Sequence, residues 1–288
     1  MATNPHTFPN TSTKQLVQTA RYELIPMKSA EAGIPHLPSG SSVSVTCSPA
    51  KGQPATLELT ERLLDAGHLA VPHFSARLTK DRAAVQQLAT WCRHTGVSEV
   101  FLVAGDAPEP VGDYDGVVAF LRDFLDCEHG LARIGITAYP DGHALIDSKV
   151  VHEALHAKQA LLAEAGVAGF ASTQMCFDTQ LWATWAVAER AAGFNLPLHL
   201  GVPGVIDRTK LLTMGMRLGI GNSMRFVKKN SGTLGRLFSP TGYDPMKLIN
   251  AVGRRSAELG IEALHLFTFN NVEATAVWQT KQLNRLRD

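Results

Sequence analysis

The sequence predicts a single (β/α)₈ TIM barrel, an α/β fold in which eight parallel strands alternate with helices. Short apolar runs alternate with segments of helical periodicity, and several runs are apolar almost throughout, as in Val100–Val103. Parallel strands have this composition because both of their faces are covered. The GxGxxG turn typical of an open dinucleotide-binding sheet is absent. A closed barrel is therefore favoured over a doubly wound sheet.

The predicted elements follow one another in regular alternation. The strands are predicted at Tyr22–Pro26, Val43–Cys47, Leu69–Phe74, Glu99–Ala104, Ile134–Tyr139, Gly169–Gln174, Leu196–Val202 and Ala263–Thr268. The helices are predicted at Thr56–Ala66, Arg82–His94, Tyr114–Asp126, Ser148–Ala165, Thr179–Ala192, Arg208–Leu218 and Tyr243–Leu259. We interpret residues 1–19 as a flexible N-terminal arm and residues 20–288 as the catalytic barrel domain.

Composition and charge favour a small-molecule partner. The chain has 27 Lys and Arg against 26 Asp and Glu, so nucleic acid and acidic membranes are not expected as partners. No apolar run reaches the roughly 18 residues of a membrane span, and no signal peptide is recognised. Four cysteines without a CxxC pair indicate reduced thiols and a cytoplasmic location. No metal site is predicted, and the oligomeric state is left open, a monomer being compatible.

Polar residues stand at the carboxyl ends of the predicted strands, where a barrel builds its active site. They are Glu23, Thr46, His73, Asp106, Tyr139, His143 and Gln174. Each has a structural interpretation as well: Glu23 as a neutralised strand carboxylate, Asp106 as a helix cap or turn residue, and Tyr139 as part of a turn. Their joint placement at successive strand ends favours a shared site.

Seven segments, six of which carry these residues, resemble, in order, the signatures of methylenetetrahydrofolate reductases. They are Tyr22–Pro26, Ser44–Thr46, Pro72–His73, Ala104–Pro108, Ala138–His143, Ser172–Asp178 and Leu266–Asn270. The resemblance covers residues 20 to 285. It implies an oxidoreductase of one-carbon metabolism and methionine biosynthesis that reduces 5,10-methylenetetrahydrofolate to 5-methyltetrahydrofolate with a hydride from NADH or NADPH.

The resemblance assigns roles to individual residues. Glu23 matches the general acid that protonates the folate N10, so that the ring opens to an N5 iminium ion. We expect the apolar flank of Tyr22, Leu24 and Ile25 to raise its pKa. Asp106 and Gln174 match positions that hydrogen-bond the pterin, and an anion near the iminium ion would stabilise its charge.

Further matches concern the substrate and the cofactor. Phe269 belongs to the last signature segment and is assigned to folate binding, together with Asn271, which stands where most members have arginine. The positions that face the flavin in FAD-bearing members are Thr46, His73, Tyr139 and His143, and their hydrogen-bonding groups suit a nicotinamide equally.

Two departures bear on the cofactor. Ala104 and Leu162 stand where FAD-bearing members have basic residues, although Lys158 is a neighbouring cation. A diphosphate needs cations or backbone amides, so their loss weakens an FAD site. The chain thus resembles the flavin-free, mycobacterial-type branch, in which NADH reduces the folate directly. The alternatives are the same reaction through FAD, a pterin methyltransferase and a non-catalytic folate-binding barrel.

Overall fold

The computed structural model describes residues 8–207, 210–211, 213, 238–239, 242–243 and 245–286. The strands are β1 (Arg21–Leu24), β2 (Ser42–Val45), β3 (Leu69–Ser75), β4 (Glu99–Val103), β5 (Arg133–Ala138), β6 (Ala168–Thr173), β7 (Leu198–Pro203), β8 (Phe238–Ser239), β9 (Gly242–Tyr243) and β10 (Ile261–Phe267). The α-helices are α1 (Thr13–Gln18), α2 (Lys28–Gly33), α3 (Gly52–Asp65), α4 (Arg82–Thr95), α5 (Val117–Leu125), α6 (Ser148–Glu164), α7 (Thr179–Ala191), α8 (Met246–Gly253), α9 (Ser256–Leu259) and α10 (Val272–Arg285).

The long strands form a closed, all-parallel barrel in the order β1-β10-β7-β6-β5-β4-β3-β2, and β8 and β9 form a separate antiparallel pair. Strands that are neighbours in the barrel are thus consecutive in the chain once that pair is set aside, except where the first strand, β1, closes the barrel against the last, β10. This order is the one that a repeated βα unit produces. The predicted (β/α)₈ barrel is confirmed, and each predicted strand overlaps an observed one with ends that differ by at most two residues.

The helices predicted from Thr56, Tyr114 and Tyr243 differ from the structure, the first because α3 already begins at Gly52. The helix predicted from Tyr114 begins at Val117, because Gly116 before it has an extended backbone. The region predicted as one helix, Tyr243–Leu259, contains α8 and α9. The predicted helix Arg208–Leu218 lies almost entirely outside the described residues. None of the described helices is long and apolar enough to cross a membrane.

The N-terminal segment also differs from the expected arm, since residues 13–18 form α1. Ser12 caps this helix in a reciprocal pair with Gln15, and Leu16 and Val17 are completely buried. The capping pair satisfies backbone amides at the helix start, and the two apolar side chains supply the burial that holds so short a helix. Residues 1–7 lie outside the described residues.

The chain divides into two compact units. What we call the first unit comprises Tyr22–Thr137 and His152–Phe170. Its interior contains a cluster of Val71, Phe101 and Phe170. Gly135 makes this packing possible, because a Cβ atom there would lie 2.4 Å from the Phe170 ring and 2.5 Å from the Phe101 ring.

What we call the second unit comprises Met1–Arg21, Ala138–Val151 and Ala171–Asp288. Within it β7 pairs with β6 on one side and with β10 on the other. The amide of Gly201 donates to Thr173 Oγ1 at 2.9 Å, and a Cβ atom at Gly201 would lie 2.0 Å from the Thr173 carbonyl oxygen. The close approach of β6 and β7 thus depends on this glycine.

Candidate functional site

The His73 side chain, in the first unit, is buried and is hydrogen-bonded to Ser44, which was not predicted as a site residue. Its Nε2 lies 2.5 Å from Ser44 Oγ, and both side chains are buried. The Phe101 ring packs against the imidazole with ring centroids 4.8 Å apart. Ser44 lies on the neighbouring strand, where residue alternation places it on the same face as His73. A hydroxyl at this distance fixes the orientation of the ring.

Gln53, at the start of α3, fixes the backbone on either side of His73. Its Nε2 donates to the His73 carbonyl oxygen at 2.9 Å, and its Oε1 accepts from the Ser75 amide at 3.2 Å. One side-chain amide therefore satisfies two backbone groups at the end of β3. Sequence spacing gave no sign of Gln53, because it lies 20 residues from His73 in the chain.

Glu23 lies in β1, in register with Ser44 of β2, and is partly exposed. Successive side chains of a strand point to opposite faces, so Tyr22 and Leu24, both completely buried, project away from the Glu23 face. The expectation that these two residues surround the carboxylate is therefore not met. The polar Ser44 is the residue beside it on the neighbouring strand.

Thr46 directly follows β2 and is half-buried, with its backbone fixed on both sides. Its amide donates to the Leu24 carbonyl oxygen at 2.9 Å, and its own carbonyl oxygen accepts from Thr56 Oγ1 at 2.9 Å. Both bonds involve the main chain. They place Thr46 at the carboxyl end of its strand, as predicted.

Asp106 lies in the loop that follows β4, and its side chain is exposed. Gly105 before it has φ of 94°, a left-handed backbone that favours glycine. The neighbouring Arg77 donates to two carbonyl oxygens of this loop, those of Ala107 and Pro108. The loop that presents Asp106 is therefore attached to the segment after β3.

Tyr139 and His143, two predicted cofactor contacts, lie next to each other in the second unit. Their rings meet edge to face, with centroids 5.1 Å apart, and both are partly exposed. His143 Nδ1 accepts from the Leu145 amide at 3.2 Å, which makes this nitrogen the acceptor and leaves the proton of a neutral ring on Nε2. The pair follows β5 directly.

Gln174 and Asn271, two predicted folate contacts, bond to the protein's own backbone. Gln174 Oε1 accepts from the Met175 amide at 2.8 Å, and Asn271 Nδ2 donates to the Val205 carbonyl oxygen at 2.7 Å. A substrate contact by either residue would thus use its remaining amide atoms or a change of rotamer.

Phe269 is buried and has φ of 50°, and Asn270 after it has φ of 61°. Two successive non-glycine residues with left-handed backbones carry strain of about 1–3 kcal/mol each, and such strain concentrates at functional sites. The Asn270 amide donates to Thr268 Oγ1 at 3.1 Å, which supports the turn. The strained turn directly follows β10.

Lys158 is buried, although it lies on α6. Its Nζ donates to the Thr137 carbonyl oxygen at 3.0 Å and to Thr137 Oγ1 at 3.2 Å. Both acceptors are uncharged, and burial lowers the pKa of Lys158 to about 8. The sequence indicated a cation in this region, but not that it is directed into the protein.

No protein-family model matches this sequence. Among solved structures, the chain is similar to an uncharacterised protein from Clostridium thermocellum that binds two copies of 5-methyl-5,6,7,8-tetrahydrofolic acid. The TM-score is 0.62 at 11% identity, over 94% of this chain and 99% of that one. It is also similar to a candidate deoxyribose-phosphate aldolase from Toxoplasma gondii ME49, with a TM-score of 0.49 at 10% identity over 94% and 97% of the two chains. At these identities the likeness shows the barrel fold alone.

Proposed function

We propose that the protein reduces 5,10-methylenetetrahydrofolate to 5-methyltetrahydrofolate with NADH as the hydride donor. The observation that carries the proposal is the position of the family-matching residues. Each lies within or just after the carboxyl end of its own strand: Glu23, Thr46, His73, Asp106, Tyr139, Gln174 and Phe269. The similar barrel from Clostridium thermocellum, which binds a methylated tetrahydrofolate, supports a folate as the ligand.

In the proposed reaction Glu23 protonates N10 of the folate, and the C–N10 bond breaks to leave an N5 iminium ion. The hydride of NADH is then added to the iminium carbon, which yields the methyl group and NAD⁺. Asp106 would bind the pterin and stabilise the positive charge of the intermediate, since its exposed carboxylate is presented on an anchored loop. His73, held by Ser44, would contact the nicotinamide.

Among the described residues, two cations near the ends of β3 and β5, Arg77 and Lys158, support a route without flavin. A flavin diphosphate needs cationic or amide donors. Arg77 donates to the carbonyl oxygens of Ala107 and Pro108, and Lys158 donates to Thr137. Both side chains are therefore engaged by the protein's own oxygen atoms. With Ala104 at the position that is basic in FAD-bearing members, these residues fit a diphosphate poorly.

The test is a spectrum of the purified protein followed by assay of NADH oxidation in the same cuvette. A colourless protein that oxidises NADH only when methylenetetrahydrofolate is present is the expected result. Flavin bands that bleach with NADH and recover with the folate would keep the reaction but overturn the flavin-free route. Folate binding without NADH oxidation would overturn the reductase and favour a non-catalytic barrel.

The variant Glu23→Gln tests the general acid. We expect it to fold and to bind 5-methyltetrahydrofolate normally, but to lose roughly 10²- to 10⁴-fold in kcat, because an amide cannot protonate N10. Glu58→Gln, which removes an exposed carboxylate that pairs with Arg62, is the matched control. Turnover of Glu23→Gln near that of the control would contradict the assignment.

A further inference from the structure

We infer that Arg77 is a positioning residue for Asp106: its guanidinium holds the loop that presents the carboxylate to the substrate. We call residues 104–116, between β4 and α5, the Asp106 loop. The inference rests on the proposed function, because it assigns Asp106 to the folate. It goes beyond that function by naming the group that sets the geometry of the contact.

The Arg77 side chain bonds to three residues of the Asp106 loop. Its Nε donates to the Ala107 carbonyl oxygen at 2.8 Å and one terminal nitrogen donates to the Pro108 carbonyl oxygen at 2.7 Å. The other terminal nitrogen forms an ion pair with the Asp115 carboxylate and donates to the Asp115 carbonyl oxygen at 3.2 Å. The planar guanidinium thus connects the two ends of the loop.

Main-chain hydrogen bonds attach the Asp106 loop to residues 77–80, the segment that follows β3. The Arg77 amide donates to the Ala104 carbonyl oxygen at 2.9 Å, and the Val111 amide donates to the Arg77 carbonyl oxygen at 3.0 Å. The Asp113 amide donates to the Lys80 carbonyl oxygen at 2.8 Å. The loop is therefore hydrogen-bonded at its start, its middle and its end.

Two glycines allow the loop to approach this segment. A Cβ atom at Gly112 would lie 1.8 Å from the Lys80 carbonyl oxygen, and one at Gly105 would lie 2.0 Å from Ser75 Oγ. A side chain at Gly112 would meet the Lys80 backbone and displace the loop, and one at Gly105 would strain a left-handed backbone and displace the Ser75 hydroxyl. The sequence thus specifies a close contact between the two segments at the position that precedes Asp106.

Asp106 itself is exposed, whereas the Arg77 side chain is only 17% exposed. Arg77 therefore acts through the loop, and the folate would contact Asp106. Lysine cannot replace it, because a single ammonium group does not reproduce a fork that bonds separated acceptors. A displacement of about 1 Å in a substrate contact can cost up to roughly 10²-fold in rate.

A double-mutant cycle of Arg77→Lys and Asp106→Asn tests the inference on the full-length protein. We expect Arg77→Lys to lower kcat/KM for methylenetetrahydrofolate by roughly 10- to 100-fold. In the Asp106→Asn background, Arg77→Lys is expected to lower kcat/KM by less than about threefold, because the contact between the Asp106 carboxylate and the substrate is already lost. If Arg77→Lys lowered kcat/KM by the same factor in both backgrounds, Arg77 would act independently of Asp106, and the inference would be overturned.

Hydrogen exchange separates this inference from the proposed function. We expect Arg77→Lys to speed exchange of the Val111 and Asp113 amides, with little change elsewhere, whether or not the protein turns over folate. The matched control is Arg93→Met, which removes an ion pair with the exposed Glu128. Unchanged exchange in Arg77→Lys would overturn the inference even in an active enzyme. Faster exchange in a protein that does not turn over folate would support the anchoring of the loop by Arg77 and contradict the proposed reductase activity.

Discussion

Replacing Lys158 by methionine should make the protein's stability respond differently to pH. Methionine has a similar length and no charge, so it removes the titrating group with little change in volume. In the wild-type protein, burial lowers the Lys158 pKa from 10.5 to about 8. The folded state thus disfavours the charged lysine, which the unfolded chain keeps in water.

The sign of the effect follows from proton binding. Between pH 8 and pH 10.5 the unfolded chain holds a proton on Lys158 that the folded protein has lost, so raising the pH favours folding. The full shift corresponds to a penalty on the order of 3 kcal/mol, which is present below about pH 8 and disappears toward pH 10.5. Integrated from pH 7 to pH 9.5, the wild-type protein gains about 2 kcal/mol from this group.

Urea unfolding at about pH 7 and pH 9.5, followed by tryptophan fluorescence, measures the effect. The free energy of unfolding of Lys158→Met minus that of the wild type is expected to fall by about 2 kcal/mol between the two pH values. Taking this difference cancels the titration of other groups. Lys149→Met, which changes an exposed lysine of the same helix, should show a constant difference. A constant difference for Lys158→Met as well would refute the reasoning.

Two further predictions concern the strands. Gly201→Ala should destabilise the protein by more than about 4 kcal/mol and lower its soluble yield, because the new methyl group meets a backbone carbonyl oxygen. The control is Gly116→Ala, which has open space around it and should unfold at nearly the wild-type urea concentration. Ser44→Ala should lower kcat/KM roughly fivefold, because it removes the hydrogen bond that orients His73. Ser44→Thr keeps a hydroxyl and should restore most of the lost kcat/KM. Equal kcat/KM in the wild type and in Ser44→Ala would show that the hydroxyl does not contribute to activity.

The fold was predictable because its signal is local. A parallel strand buried on both faces must be apolar along its length, as in Val100–Val103, and each run can be recognised without knowing its partners. Helix α1 was missed for the opposite reason. Six residues are too few to form a stable helix in isolation, and the burial of Leu16 and Val17 depends on segments distant in the sequence.

The candidate site was predictable only in part. Residues that follow a strand, such as Thr46 and Tyr139, are placed by chain order alone, and the structure has them where the sequence predicted. Ser44, Gln53 and Arg77 were missed because their roles depend on partners 20 to 38 residues away in the chain, across a strand or a loop. No periodic pattern encodes such contacts.

Helix α1 has a consequence for the order in which the chain folds during synthesis. Gln279 of α10 donates to the Val17 carbonyl oxygen across 262 residues of sequence, and Ser256 donates to the Thr11 carbonyl oxygen. When α1 leaves the ribosome, neither partner has yet been translated. The strands of the first unit can form before α1 docks, so α1 is made early but is among the last segments to dock. Slow translation therefore lengthens the time during which Leu16 and Val17 are exposed to chaperones or to neighbouring chains.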